Sequence, residues 1–193
     1  ITTLLGFILF SGLLIQATAS RAETKPGAKA GSSTVYVTKF RDWSPPIKER
    51  NSDFDCTLEY PNAFLVGRYH AGDENGSTQY LCATAKQFDQ EIIVSEKEKS
   101  KGHSEYDSDY ACPKNKVMVG RHHASDEEGM TWYDCATLTG PLGPLEVAPL
   151  DMTNPAVPEN NHKLECDNDT ALVRRAHGGD ETGYTRHGCG ELY

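Results

Sequence analysis

Residues 68–82 read RYHAGDENGSTQYLC, and the chain contains two further copies of this stretch with the same length. Residues 121–135 read RHHASDEEGMTWYDC, and residues 175–189 read RAHGGDETGYTRHGC. Seven of the fifteen columns are identical in all three copies, which gives the pattern R-x-H-x-x-D-E-x-G-x-T-x-x-x-C. Self-similarity at a period of about 55 residues is typical of repeat architectures. The sequence therefore predicts three tandem copies of one structural unit.

Each copy of the motif has a second cysteine upstream of it, so that the six cysteines fall into three equivalent pairs. The equivalence of the repeats leaves two regular pairings, one within each unit and one that links neighbouring units in a cycle. We expect the pairing within units, because it ties the returning strand to the residue that opens its own unit. The three expected disulfides are Cys56–Cys82, Cys112–Cys135 and Cys166–Cys189.

The residues around each motif predict a β-hairpin. Short β-prone runs such as Phe64 to Val66 lead into the arginine, a polar Asp-Glu-x-Gly segment follows, and a threonine-containing run returns. We expect the motif glycine to adopt the positive φ of a tight turn. No segment of helical length carries an apolar stripe. The fold class is thus all-β, with three disulfide-stapled hairpin repeats at residues 34–85, 86–138 and 139–193, arranged with pseudo-three-fold symmetry, as in a trefoil or a prism, or as separate beads.

The N-terminal segment predicts export. An uncharged apolar run from Leu4 to Ile15 precedes the small-residue pattern Ala17-Thr18-Ala19, so we expect a signal peptide at residues 1–19 and a flexible leader at 20–33. The sequence has no initiator methionine, and we expect the signal peptide to be N-terminally truncated. The apolar run is shorter than the roughly 20 residues of a membrane span, which argues against membrane insertion. Six cysteines are in keeping with an oxidising, extracellular location.

The net charge of −9 argues against nucleic acid as a partner. We expect instead a lectin-like protein that recognises carbohydrate or a cell-surface ligand, because planar guanidinium and carboxylate groups bind sugar hydroxyls and three copies add avidity. Tyr80, Trp132 and Tyr133 would add flat apolar faces. The expected ligand-binding residues are the motif arginines (Arg68, Arg121, Arg175), the motif histidines (His70, His123, His177), the motif aspartates (Asp73, Asp126, Asp180), the motif glutamates (Glu74, Glu127, Glu181) and the motif threonines (Thr78, Thr131, Thr185).

Two other interpretations of the same residues stay open. In the first, the polar cluster is only a clasp that stabilises the fold, with arginine paired to carboxylate and aspartate capping the turn. In the second, H-x-x-D-E holds Ca²⁺ or Zn²⁺, although the spacing matches neither an EF-hand loop nor an H-E-x-x-H helix and we expect no cofactor. Enzymatic activity is not expected, because a catalytic site is rarely repeated three times within one chain. His122 and His187, which occur in single copies, are interpreted as surface residues.

Overall fold

The structure is a computed structural model, and it describes residues 34–73, 75–126, 129–153, 155–180 and 182–193. The expected signal peptide at 1–19 and leader at 20–33 lie outside these residues. The described chain is almost entirely β-structure, as the sequence predicts. Among the described residues, no helix is long and apolar enough to cross a membrane.

Seventeen short strands and two single helical turns make up the described elements. The first repeat contains β1 (Val35–Lys39), β2 (Ile47–Lys48), a 3-10 turn (Glu49–Asn51), β3 (Asp53–Asp55), α1 (Cys56–Glu59), β4 (Phe64–Ala71) and β5 (Ser77–Gln87). The second contains β6 (Gln90–Glu91), β7 (Ile93–Lys99), β8 (His103–Ser104), β9 (Asp107–Ala111), β10 (Lys116–Ala124) and β11 (Met130–Gly140). The third contains β12 (Gly143–Pro144), β13 (Val147–Pro149), β14 (Val157–Pro158), β15 (Asn161–Glu165), β16 (Thr170–Gly178) and β17 (Tyr184–Leu192).

Each motif forms one antiparallel hairpin, namely β4–β5, β10–β11 and β16–β17. Corresponding residues pair in all three hairpins: the motif histidine lies opposite the motif threonine, as in His70 with Thr78. The first strand of each hairpin is here called the outgoing strand. In all three repeats it carries an irregularity in register at the residue two positions before the motif arginine. Because successive residues of a strand point to opposite faces, arginine and histidine two positions apart share one face. That face is buried in every repeat.

Three sheets form around these hairpins, and each sheet accepts a strand from another repeat. The strand that precedes the first cysteine of a repeat pairs with the outgoing strand of the next repeat. Thus β3 pairs with β10, β9 pairs with β16, and β15 returns to pair with β4. The exchange closes in a cycle, and the three outgoing strands β4, β10 and β16 contact one another. The repeats are therefore arranged with pseudo-three-fold symmetry and are not separate beads.

The disulfides join Cys56 to Cys82, Cys112 to Cys135 and Cys166 to Cys189, which is the pairing expected within units. The strand exchange gives each of them a second effect. Cys56 follows β3 in the second sheet, whereas Cys82 lies in β5 of the first sheet. The same relation holds for the other two pairs. Each disulfide consequently links two neighbouring sheets as well as the two ends of one repeat.

The hairpin turns correct one expectation about the motif glycine. Positive φ is found at the residue before the motif aspartate, which is Gly72, Ser125 or Gly179, and not at the motif glycine. The motif glycine is required for a different reason. A Cβ atom at Gly129 would lie 2.1 Å from the carbonyl oxygen of Ala124, and the other two motif glycines have the same close approach. The two backbone segments of the turn approach each other too closely there to leave room for a side chain.

Candidate functional site

The centre of the molecule holds three glutamates that the motif does not include: Glu49, Glu105 and Glu159, here called the bridging glutamates. Each lies seven residues before the first cysteine of its repeat. Glu49 begins the 3-10 turn, Glu105 lies between β8 and β9, and Glu159 lies between β14 and β15. Each therefore lies a few residues before the strand that pairs with another repeat, which is β3, β9 or β15. Extending the repeat alignment upstream from the cysteines reveals them as a fixed column, a signal that the motif alone does not contain.

The bridging glutamates and the motif arginines alternate in a closed ring. Each glutamate forms ion pairs with the arginine of its own repeat and with that of the next repeat, so that every guanidinium contacts two carboxylates. In order around the ring, the shortest N···O distances are 3.0 Å for Arg68–Glu49, 2.7 Å for Glu49–Arg121, 3.1 Å for Arg121–Glu105, 2.8 Å for Glu105–Arg175, 3.1 Å for Arg175–Glu159 and 2.8 Å for Glu159–Arg68. The ring joins all three repeats, and none of its members is more than 6% exposed.

The ring stays ionised in spite of its burial. Burial by itself would raise the pKa of Glu49, but the guanidinium groups of Arg121 and Arg68 outweigh that effect and hold the pKa well below its usual value. The pKa values of the other two bridging glutamates are lowered for the same reason, whereas the pKa values of the motif arginines are raised by the carboxylates. Buried charges are tolerated when they are paired and hydrogen-bonded. The three positive and three negative charges of the ring balance.

The motif threonines and histidines pack against the ring. Arg68 donates to the Thr78 hydroxyl at 3.3 Å, and the corresponding distance from Arg121 to Thr131 is 3.2 Å. The hydroxyl of Thr78 also contacts Nδ1 of His70 at 2.9 Å. The third repeat differs, because Thr185 donates to the carbonyl of Ala176. Thus the residues predicted as one cluster in each hairpin do come together, but most of them are in the interior.

The motif histidines are buried and neutral. Burial, followed by the positive charge of Arg68, lowers the pKa of His70 to about 4, and burial with Arg175 lowers the pKa of His177 to about 4. The pKa of His123 is lowered as well, first by burial and then by Arg121. Nε2 of His70 lies 2.9 Å from the carbonyl oxygen of Gly72, so this nitrogen carries the proton. At pH 7 the histidines therefore add hydrogen-bonding groups and no charge.

A cavity of about 30 Å³ lies where the three repeats meet. The bridging glutamates, the motif histidines and the motif aspartates of all three repeats line it, together with Gly72. The motif aspartates are exposed and form its mouth, whereas the glutamates and histidines are buried. The motif arginines are not among its lining residues. Residues predicted to form three separate sites thus converge on one, called here the axial cavity.

The motif aspartates also organise their own turns. The Asp73 side chain accepts a hydrogen bond from the backbone N–H of Asn75 at 2.9 Å, and Asp180 accepts one from Thr182 at 3.0 Å. Such bonds are typical of aspartate in turns. The motif glutamates Glu74, Glu127 and Glu181 lie outside the described residues.

The third repeat departs from the symmetry next to Arg68. In the first two repeats Tyr80 and Tyr133 accept hydrogen bonds from the motif arginine of the following repeat, both at 3.2 Å. The corresponding residue in the third repeat is His187, which is 2% exposed, so the expectation of a surface residue is wrong. His162 completes this corner, with Nε2 2.9 Å from a guanidinium nitrogen of Arg68.

Two further expectations about single side chains are changed by burial. Tyr80 and Tyr133 are 2% and 1% exposed and stack on Phe54 and Tyr110, so neither can offer an open face to a sugar. Trp132 is half-buried. His122 is also half-buried and lies between Asp53 and Asp134, and the hydrogen bond to Asp134 is the main cause of its raised pKa.

The chemical character of the axial cavity follows from these contacts. Its walls present ionised carboxylates and neutral imidazoles, and its mouth presents three more carboxylates. Within the described residues no serine, cysteine or lysine lines it. Carboxylate oxygens and the unprotonated imidazole nitrogens are hydrogen-bond acceptors, and they are also atoms of the kind that coordinate cations. Comparisons with protein-family models, with curated proteins and with solved structures found no match to this chain.

Proposed function

We propose that this protein is an exported, non-enzymatic and lectin-like recognition protein that binds carbohydrate beside the mouth of the axial cavity. The observation that carries the proposal is a polar groove of about 490 Å³ that shares Gly72 and Asp73 with that cavity. Asn160, Asn161 and Thr182 complete its lining. Carboxylate, amide and hydroxyl groups in an open groove are suited to the hydroxyls of a sugar.

The size of the axial cavity decides where a sugar would bind. A volume of about 30 Å³ holds one or two water molecules, since each needs on the order of 10–15 Å³. A sugar ring is much larger and has to lie on the exposed rim. The motif arginines would then support the site from behind, by holding the glutamates and the hairpins in place, and would not contact the ligand.

Three disulfides, with no free cysteine among the described residues, support the extracellular part of the proposal. Disulfides persist in oxidising compartments. The absence of enzymatic activity is likewise a proposal, supported by a lining that repeats the same side chains three times around an axis. A catalytic centre needs groups with different roles in one asymmetric arrangement.

A glycan array on the oxidised protein, run with and without a chelator, tests this function. We expect specific binding that is lost in the variant Asp73→Asn with Asn161→Ala, because both side chains belong to the groove. The matched control is Asp42→Asn with Asn51→Ala, which makes the same chemical changes at two exposed residues outside it. A blank array under both conditions would refute the carbohydrate proposal.

A second candidate function is the clasp, in which the polar cluster only stabilises the fold and binding resides in the dissimilar connections between motifs. The closed ring of buried ion pairs favours it. The groove variant Asp73→Asn with Asn161→Ala separates the two candidates. Under the first, binding is lost while the melting temperature changes little. Under the second, binding by the folded protein persists in this variant.

A further inference from the structure

We propose that the axial cavity is a binding site for one hard divalent cation of the size of Ca²⁺, held by the three bridging glutamates. This inference does not depend on carbohydrate binding, because the cation would occupy the cavity and the sugar its rim. It also differs from a metal site within a single H-x-x-D-E motif, since the ligands come from three repeats and lie outside the motif.

The spacing of the carboxylates fits such an ion. One oxygen from each of Glu49, Glu105 and Glu159 lies within 4.8 Å of the other two. The corners of a triangle with sides of 4.8 Å lie 4.8/√3, or about 2.8 Å, from its centre. Calcium–oxygen distances are about 2.3–2.6 Å, so movements of a few tenths of an ångström would close the site. Mg²⁺ requires about 2.0–2.1 Å and a stricter geometry, which makes it a poorer fit.

Unpartnered polar atoms give independent evidence for a ligand. Oε2 of every bridging glutamate is buried and has no hydrogen-bond partner among the described residues, whereas Oε1 is shared between two arginines. His177 also lines the cavity, and its Nε2 is likewise buried without a hydrogen-bond partner in the described part of the chain. Leaving a buried polar atom without a hydrogen-bond partner is unfavourable, because the atom loses its contact with water and gains none in return. Four such atoms around one cavity indicate that it normally contains a group that satisfies them.

The charge balance favours a cation over an anion. The three motif arginines neutralise the three bridging glutamates, so that the motif aspartates at the mouth leave the site with a net charge of −3. The proposed ligands are the carboxylate oxygens of the bridging glutamates, which suit hard ions such as Ca²⁺. The cavity has room for the ion together with a water molecule that adds to its coordination.

Calorimetric titration of the metal-free, oxidised protein with CaCl₂ is the test, combined with metal analysis after dialysis. We expect one Ca²⁺ per chain and a melting temperature that rises with Ca²⁺ and falls with chelator. Three ions per chain would mean that each repeat binds its own ion, and would overturn the proposal. So would the absence of both heat and thermal shift at millimolar Ca²⁺, which would leave water as the occupant.

Two sets of variants locate the ion. Changing all three motif aspartates to asparagine keeps the buried ring intact and should weaken Ca²⁺ binding at least about tenfold by removing the charge at the mouth. Asparagine at the exposed residues Asp42, Asp89 and Asp151 makes the same change in net charge and should leave the affinity unchanged. Glu49→Gln keeps a hydrogen-bond acceptor for the arginines but removes a charged ligand. If this variant is folded by circular dichroism and still binds Ca²⁺ with unchanged affinity, the glutamates are not the ligands.

Discussion

Glu49 accepts a hydrogen bond from Arg121, which lies 72 residues further along the chain, at 2.7 Å between Oε1 and Nη1. The same carboxylate is 3.0 Å from Arg68 of its own repeat. One side chain thus connects the first repeat to the second, and the ring repeats this connection at the other two boundaries. The repeats are held together by charge pairing at the axis as well as by the exchanged strands.

Removing one member of the ring should therefore destabilise the whole molecule. We predict that Glu49→Ala lowers the free energy of unfolding by about 3–5 kcal/mol, because it leaves two buried guanidinium groups short of a partner. Glu49→Gln should cost less, since its amide oxygen still accepts hydrogen bonds. Urea denaturation measures both, and Glu146→Ala at an exposed position is the control. A loss for Glu49→Ala no larger than that of the control would show that the ring does not stabilise the fold.

The disulfide between Cys112 and Cys135 closes a sequence separation of 23 residues. Replacing both cysteines by alanine should lower the free energy of unfolding by about 3 kcal/mol. This bond joins the second sheet to the third. In the variant, backbone amide hydrogen exchange should therefore become faster first in β9, which ends next to Cys112. Uniformly faster exchange throughout the chain would argue against a role specific to that boundary.

The hairpin turn of the second repeat offers a matched pair of substitutions. Ser125 has φ of +83°, where the other repeats carry glycine, so Ser125→Gly should stabilise the protein by about 1 kcal/mol. Gly129→Ala should destabilise it by roughly 2–3 kcal/mol, because the new methyl group meets the Ala124 carbonyl. Thermal denaturation of the two variants checks both signs. If Ser125→Gly lowered the melting temperature and Gly129→Ala raised it, the turn would have to adopt another conformation in solution.

Stability should fall as the solution becomes acidic. The folded-state pKa values of His70 and His177 are about 4 and that of His162 is about 3, against an unfolded value of 6.5. Between pH 6.5 and these folded-state values, the unfolded chain binds more protons than the folded one. The contribution of these histidines to stability is therefore fully present above pH 6.5 and is lost as the pH falls towards 4. Each such histidine contributes a slope of up to about 1.4 kcal/mol per pH unit. His122, whose pKa is raised, acts in the opposite direction.

Below pH 4.5 the bridging glutamates add to this loss of stability. Their pKa values are lower in the folded protein than in the unfolded chain, so the unfolded chain takes up protons first and the stability that the glutamates contribute is lost as the pH falls. Urea denaturation at several pH values between 7.5 and 4 measures the slope. Stability that is constant or rises over this range would contradict the prediction.

The acid sensitivity should be smaller when the third repeat is made to resemble the first two. His162 occupies the position of Ser52 and Ser108, and His187 that of Tyr80 and Tyr133. The double variant His162→Ser with His187→Tyr removes two histidines whose pKa values are lowered by burial, and it offers Arg68 a tyrosine hydroxyl. We predict a flatter dependence of stability on pH for this variant. Gln90→Ser, a substitution of an exposed residue without a titratable side chain, is the control and should keep the original slope.

Much of the candidate site could be predicted from the sequence, but its arrangement could not. The motif residues do cluster, because strand alternation and a hairpin register of a few residues are local properties. The bridging glutamates form a fixed column upstream of the cysteines, so a longer alignment of the repeats would have found them. Their contact with the arginines of other repeats was beyond reach, since nothing local to Glu49 indicates Arg121.

The sequence by itself determined the three repeats and the β-hairpin in each, and it reduced the cysteine pairing to two regular arrangements, because these features depend on residues close in the chain or on equivalence between copies. Only the tertiary structure decided that the preceding strands exchange between repeats and that the motif arginines are buried in a ring. It also decided that three sets of polar residues line a single cavity. The physical reason is that pairing between distant strands and the burial of charge depend on how the complete units pack, and the same local sequence is compatible with separate hairpins that expose these side chains to water.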